Sequence, residues 1–247
     1  MDMLPVKGKL TNYRSIETHV GVQFGPEVDL GWTSSTTVTL HFGPLLVGEV
    51  KLDDTYIKPY KSNVAMVTLG NVEICNMHGF RSFIGRVIPR SRGKYQQQNG
   101  GPAVTLEMDE RGHQLSMSIQ LCAMGFAKAI EPRVRRIDDN IEINFFIENT
   151  TKVGLLFGEA HFILEQDSYT LAKLESAFNI SWLEERKEVD VIGSTSSDTT
   201  LRGKAVLKGV DVDNEVRDSW YIHAIQLFEM DVDLDAIIYG ERNSPRD

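Results

Sequence analysis

Six histidines, His19, His41, His78, His113, His161 and His223, are the side chains of this chain best suited to moving a proton or holding a metal near neutral pH. They are scattered, and no spacing among them writes a local metal-ligand pair. Two have a carboxylate within reach along the chain: His41 with Glu49, and His161 with Glu159. On an extended strand residues 159 and 161 share a face, so Glu159 is placed to orient the imidazole; an ordinary strand surface has the same spacing. Cys75 and His78, in CNMHG, are the one thiol–imidazole neighbourhood, but nothing around them supplies the electropositive setting a catalytic thiolate needs. The surroundings of Cys75 and Cys122, VEICNM and IQLCAM, are apolar and predict buried free thiols. Asp211–Asp218, DVDNEVRD, begins like a calcium loop, yet Val216 stands where such a loop requires glycine and Ile222 where it requires glutamate. There is no dinucleotide fingerprint, phosphate loop, zinc-protease helix or nucleophile elbow. The reading therefore assigns no catalytic residue, no metal and no cofactor.

Charge gives a clearer signal. Arg81, Arg86, Arg90, Arg92 and Lys94 follow one another with no acid between them, and Tyr95 closes the run before QQQNGG. Pro89 disfavours a long helix or central strand, which predicts an exposed basic loop. Phe80, Phe83 and Tyr95 could stack bases while the arginines meet phosphates. A second basic island, Pro132–Arg136, adds to this surface only if it folds beside the first. Opposite in sign, Asp211–Asp247 holds ten acids against Arg217, Arg242 and Arg246. Within it Glu229, Asp231, Asp233 and Asp235 alternate with apolar residues, so a strand would carry the acids on one face. Trp220, Tyr221 and Phe228 in the same tail are candidate apolar anchors for a partner.

These residues belong to a chain of 247 residues with a formal net charge of -9, 41% hydrophobic and 25% charged. That balance predicts a folded globular protein and argues against broad affinity for nucleic acid. MDMLPVKGKL lacks the apolar run of a signal peptide, and no segment approaches the length of a membrane helix. The expected location is cytoplasmic or otherwise intracellular, with no transmembrane segment.

Strand signals supply the frame. Thr36–Phe42, Leu45–Leu52, Val64–Cys75, Ala103–Asp109, Gln114–Met124, Asn140–Asn149 and Val153–Gln166 read as strands. The fourth and fifth form a predicted hairpin, as do the last two across TTK, and Gly70 marks a bulge or turn within the third. Asp167–Lys187 reads as the one substantial helix, with Leu171, Leu174, Phe178 and Leu183 as its apolar stripe. The fold class is mainly β, an antiparallel sandwich or jelly-roll-like domain with that helix in its C-terminal half. Residues 1–187 form the β-rich domain, 188–203 a polar linker or exposed loop, and 204–247 an acidic strand-containing segment packed on the main domain.

The expected function is non-enzymatic: a structural or binding protein acting through self-assembly or protein association, in a viral or other multisubunit particle. A homo-oligomer or a protein partner is expected, with Trp220, Tyr221, Phe228, Asp231, Asp233 and Asp235 as interface residues. One alternative is a single-stranded nucleic-acid- or RNA-binding protein contacting anions through Arg81, Arg86, Arg90, Arg92, Lys94 and Tyr95. A second is a carboxylate-dependent hydrolase on a β scaffold.

Overall fold

A computed structural model describes residues 3–12, 15–23, 31–52, 55–57, 64–91, 104–108, 114–121, 126–151, 154–181, 184–195, 200–213 and 220–239, with side chains in large part from Ser35 onward. The fold is mainly β and built on two sheets, in agreement with the sandwich-like class. The first sheet uses β1 (Met3–Asn12), β2 (Ser15–Gln23), β3 (Gly31–Phe42), β4 (Leu45–Leu52), β5 (Thr55–Ile57), β6 (Val64–Ile74), β7 (Val104–Met108) and β8 (Gln114–Gln120). Its order is β1-β2-β6-β4-β3-β8-β7, with β5 paired on β3. The pairings are antiparallel except β3 with β8. The predicted hairpin is β7–β8, and Gly70 is the extra residue of a bulge where Glu17 pairs Asn71 and Thr18 pairs Leu69.

The second sheet comprises β9 (Ala127–Ile137), β10 (Asn140–Asn149), β11 (Leu155–Gln166), β12 (Tyr169–Ile180), β13 (Arg186–Thr195), β14 (Lys204–Val212), β15 (Glu229–Asp233) and β16 (Ile238–Tyr239). It runs in the order β15-β14-β11-β12-β13-β10-β9-β16. The 3-10 turn Leu234–Ala236 and Ile237 separate β15 from β16, and β16 pairs with β9, so the two ends of the sheet meet and it nearly closes. Its inner face is filled by fully buried Phe145, Phe162, Phe178 and Phe228. Phe228 lies 5.4–5.8 Å, ring to ring, from the other three. The short helix α2 (Trp220–Ile225) packs on β14, where Gly209 lies against the backbone of Ile225.

Three expectations are corrected here. Asp167–Lys187 is not a helix: Asp167 and Ser168 take positive φ of 50° and 70°, the conformation of a two-residue hairpin turn, and Tyr169–Ile180 continues as β12. Ala172, Leu174, Ser176, Phe178 and Ile180 all point inward, a period of two in which small Ala172 and Ser176 hide between large residues. Likewise, residues 188–195 of the expected linker belong to β13, a strand paired on both sides. Gly193 is what lets β13 approach β12, because a Cβ there would lie 1.9 Å from the carbonyl oxygen of Lys173. Finally, β10 and β11 are not hairpin partners: β10 pairs β9 and β13, while β11 pairs β12 and β14. The end of β10 is tied down instead of reversing, since Asn149 donates from its backbone to Glu185 and from its amide to Ser181, and Thr150 donates to Phe126.

The other helix, α1 (Met77–Val87), falls where a basic loop was expected. Asn76 caps it by accepting from the backbone N–H of Gly79 at 3.0 Å. Phe80, Phe83, Ile84 and Val87 recur at helical spacing and are buried, with β3 and β4 packed against the helix. Pro89 terminates the helix two residues after its end rather than forbidding it. Among the described residues no helix is long and apolar enough to cross a membrane.

Candidate functional site

Four surface regions gather the residues with chemical potential. The first is the outer side of α1. Arg81 and Gly85 are four residues apart and so share a helix face, and Arg90 folds back over Gly85, its guanidinium 2.9 Å from where a Cβ would stand. Arg86 leaves by another face, its guanidinium 6.0 Å from the Phe42 ring centroid. Phe80 and Phe83 are core residues and cannot stack bases, which corrects that part of the nucleic-acid reading. Arg92, Lys94 and Tyr95 lie outside the described residues. The structure adds one residue that the sequence did not single out, His223 of α2. Burial first, then the charges of Arg81 and Arg90, hold its pKa below the ordinary histidine value.

The second region is the seam where β15 faces β9. An open groove of about 700 Å³ runs here, lined by Glu165, Asp167, Glu229, Asp231 and Asp233, with Lys204, Lys208, Ser91 and Pro132. The alternation expected of Glu229, Asp231 and Asp233 holds, with Met230 and Val232 buried between them. Asp235 departs from it: it sits in the 3-10 turn and accepts from the backbone N–H of Gly203 at 2.9 Å, while Asp233 caps that turn. The N–H of Glu229 donates to the carbonyl of Pro89, so the acidic strand and the basic segment are neighbours within one chain. Pro132, which opens the second basic island, lines the same groove as Ser91. Arg133 and Arg135 of that island are exposed on β9.

The third region surrounds His161. Glu159 is not its orienting partner. Asp211, directly across on β14, meets its Nδ1 at 2.5 Å, and Asp213 lies 3.6 Å from Nε2. The hydrogen bond that the imidazole donates to Asp211, helped by the charges of Asp211, Asp213 and Glu175 against the opposing effect of burial, raises the imidazole pKa above its usual value. Both nitrogens face carboxylates, so the arrangement favours a charged surface imidazolium and activates no nucleophile. No sequence signal could have paired residues fifty positions apart. His41 and Glu49 do not face each other, as His41 pairs Leu46 and Glu49 pairs Thr39. Cys75 is exposed, with its thiol 3.6 Å from the Leu46 carbonyl, contrary to the buried thiol expected, and Cys122 is outside the described residues. Among the described residues no cluster of three metal-ligating side chains forms.

Of the apolar anchors, Phe228 is 0% exposed and belongs to the aromatic core, which removes it from any contact surface. Tyr221 is half-buried, edge-on to Phe157 at 5.9 Å. Trp220 begins α2. Among the described residues, the large apolar side chains that face outward are Tyr169, Ile192 and Ile238.

The fourth region is the border of the first sheet. Among the described residues, unlike the second sheet, its path ends in two strands, β1 and β7. The β1 edge carries Pro5, Lys7 and Lys9 and a register irregularity between Leu4 and Lys7, all of which oppose pairing, and it comes against β11. The β7 edge, VTLEM, has neither proline nor lysine and is regular along its whole pairing with β8. No family model matches this chain, and no curated protein matches it.

Proposed function

We propose that this chain works by associating with copies of itself, adding strand β7 of one copy to β7 of another so that the first sheet continues across the contact. The carrying observation is the contrast between borders among the described residues: the second sheet nearly closes on itself and β1 carries proline, lysines and a register irregularity, whereas β7 is regular and pairs on one side. A strand edge offers a row of backbone donors and acceptors, and pairing them is a general route to association. Antiparallel pairing centred on Leu106 engages all five residues and sets Thr105 opposite the partner's Glu107, with no like charges opposed. Charge attraction between the basic and acidic regions does not support the reading, because those regions meet within one chain.

The test is mass by light scattering coupled to size exclusion, over a dilution series. Thr105→Glu would place two pairs of glutamates opposite one another and is expected to weaken association about five- to thirtyfold, from roughly 0.5–1 kcal/mol per opposed pair. Adding Glu107→Lys turns both into opposite-charge pairs and should restore the mass. A wild-type chain that stays monomeric at every concentration, or a double variant no better than Thr105→Glu, overturns the proposal.

A further inference from the structure

Apart from self-association, we infer that His161 is a proton-operated latch, holding the chain that leaves β14 against β11 through Asp213. The latch is built by a bulge. Ala205, Leu207 and Gly209 of β14 are buried in alternation, and an unbroken strand would turn Asp211 inward as well. Val210 is an extra residue where Phe162 pairs Gly209 and His161 pairs Asp211, so the alternation reverses and Val212 becomes the buried residue. Asp211 and Asp213 thereby share the outer face with His161 and meet its two nitrogens, Asp211 at Nδ1 and Asp213 at Nε2. One residue beyond the end of β14, Asp213 also donates from its backbone N–H to the carbonyl of Glu159 at 2.9 Å.

The two contacts respond differently to a proton. An imidazolium has an N–H at both nitrogens, so each faces a carboxylate that it attracts. Loss of one proton leaves a single N–H, and the 2.5 Å contact with Asp211 keeps it on Nδ1. Nε2 then turns a lone pair toward the Asp213 carboxylate, 3.6 Å away, and attraction becomes repulsion. Glu175 of β12 stands directly across from His161, and Glu159 shares its face on β11. Of the lysines on these strands, Lys208 of β14 pairs with Glu165, and Lys173 of β12 lies one alternate position beyond Glu175. The charges of β1, which also touches β11, are Lys7 and Lys9. Carboxylates on β11, on β12 and along the chain from β14 therefore surround the ring, in line with its raised pKa. With that sign, the latch is closed below about pH 6.5 and opens as pH rises through the folded-state value.

The experiment follows amide hydrogen exchange by NMR in the full chain from about pH 5.5 to about pH 8.5, corrected for the intrinsic pH dependence of exchange. Protection of the Asp213 amide should fall about two- to fivefold across the midpoint at which His161 titrates, the size expected of an exposed charge contact. The Gly209 amide, which donates to the Phe228 carbonyl, is the internal control and should not follow. Asp213→Asn leaves no charge for Nε2 to repel and should flatten the dependence. His161→Lys stays charged throughout the range and should keep the Asp213 amide protected at its alkaline end. A flat Asp213 profile in the wild type, or an equal fall at Gly209, overturns the inference. So does full pH dependence in Asp213→Asn or loss of alkaline protection in His161→Lys.

Discussion

Phe228→Ala separates two roles that the sequence left superimposed on one residue. As a partner-binding anchor, Phe228 would lose association on truncation and leave the fold intact. Its position predicts the reverse. The side chain is fully buried, with ring centroids 5.4 Å from Phe178, 5.5 Å from Phe162 and 5.8 Å from Phe145. Removing a buried phenyl group typically costs about 3–5 kcal/mol, and each favourable aromatic pair adds about 0.5–1.5 kcal/mol beyond its buried area. Three such neighbours place this site at the upper end, about 4–5 kcal/mol, against a total stability of about 5–15 kcal/mol for a typical domain. Urea unfolding followed by far-ultraviolet circular dichroism should show a large fall in the midpoint. Phe228→Leu keeps most of the volume and should lose only about 1–1.5 kcal/mol. A Phe228→Ala chain with the wild-type midpoint but an altered mass in light scattering would refute the core assignment.

Further outcomes follow from the same geometry. Gly193→Ala forces a methyl into the backbone of Lys173 and Leu174, which no rotamer change relieves; it should destabilise by about 3 kcal/mol or more in chemical denaturation. Asp211→Asn should bring the His161 pKa back down toward its ordinary value in an NMR titration, since the Asp211 hydrogen bond is the main cause of the rise. The raised pKa of His161 means that its stabilisation is present below about pH 6.5 and lost as pH climbs through the folded-state value. His223, with a depressed pKa, has the opposite sign, so its contribution is lost as pH falls below about 6.5. The two partly cancel in the wild type, and Asp211→Asn should therefore leave a chain whose denaturation midpoint drops more steeply on acidification. An unchanged profile would count against the His161 pairing.

Local alternation made much of the β frame legible. Leu45–Leu52 is β4 residue for residue, the β7–β8 hairpin lies where its turn signals put it, and Glu229, Asp231 and Asp233 point outward as their spacing implied. Two failures have different causes, residue size in one and charge in the other. In Tyr169–Ile180 the large residues Leu171, Leu174 and Phe178 fit a helix, while small Ala172 and Ser176 conceal the strand. In Met77–Val87 the arginines drew attention to charge, yet Phe80, Phe83, Ile84 and Val87 already had helical spacing, and Asn76 was a readable cap. The site residues were less legible because their partners are distant in sequence. The Asp211 that orients His161 and the rings around Phe228 become neighbours only when the sheets assemble.

The position of the acidic strand also changes what a positive α1 can do. A basic loop and an acidic tail, read as separate surfaces, suggest copies that attract one another. Once Pro89 accepts from Glu229 and Ser91 shares a groove with Asp231 and Asp233, the same charges act first within a single chain. Their fields then oppose each other at long range, and exposed pairs of this kind contribute little to affinity. What survives is short-range and directional: the backbone edge of β7, which needs no net charge. Added salt should therefore weaken association through β7 only slightly. Light scattering of one preparation at low and at high ionic strength measures this. A mass that falls steeply with added salt would mean that association depends on charge and that the β7 edge is the wrong contact.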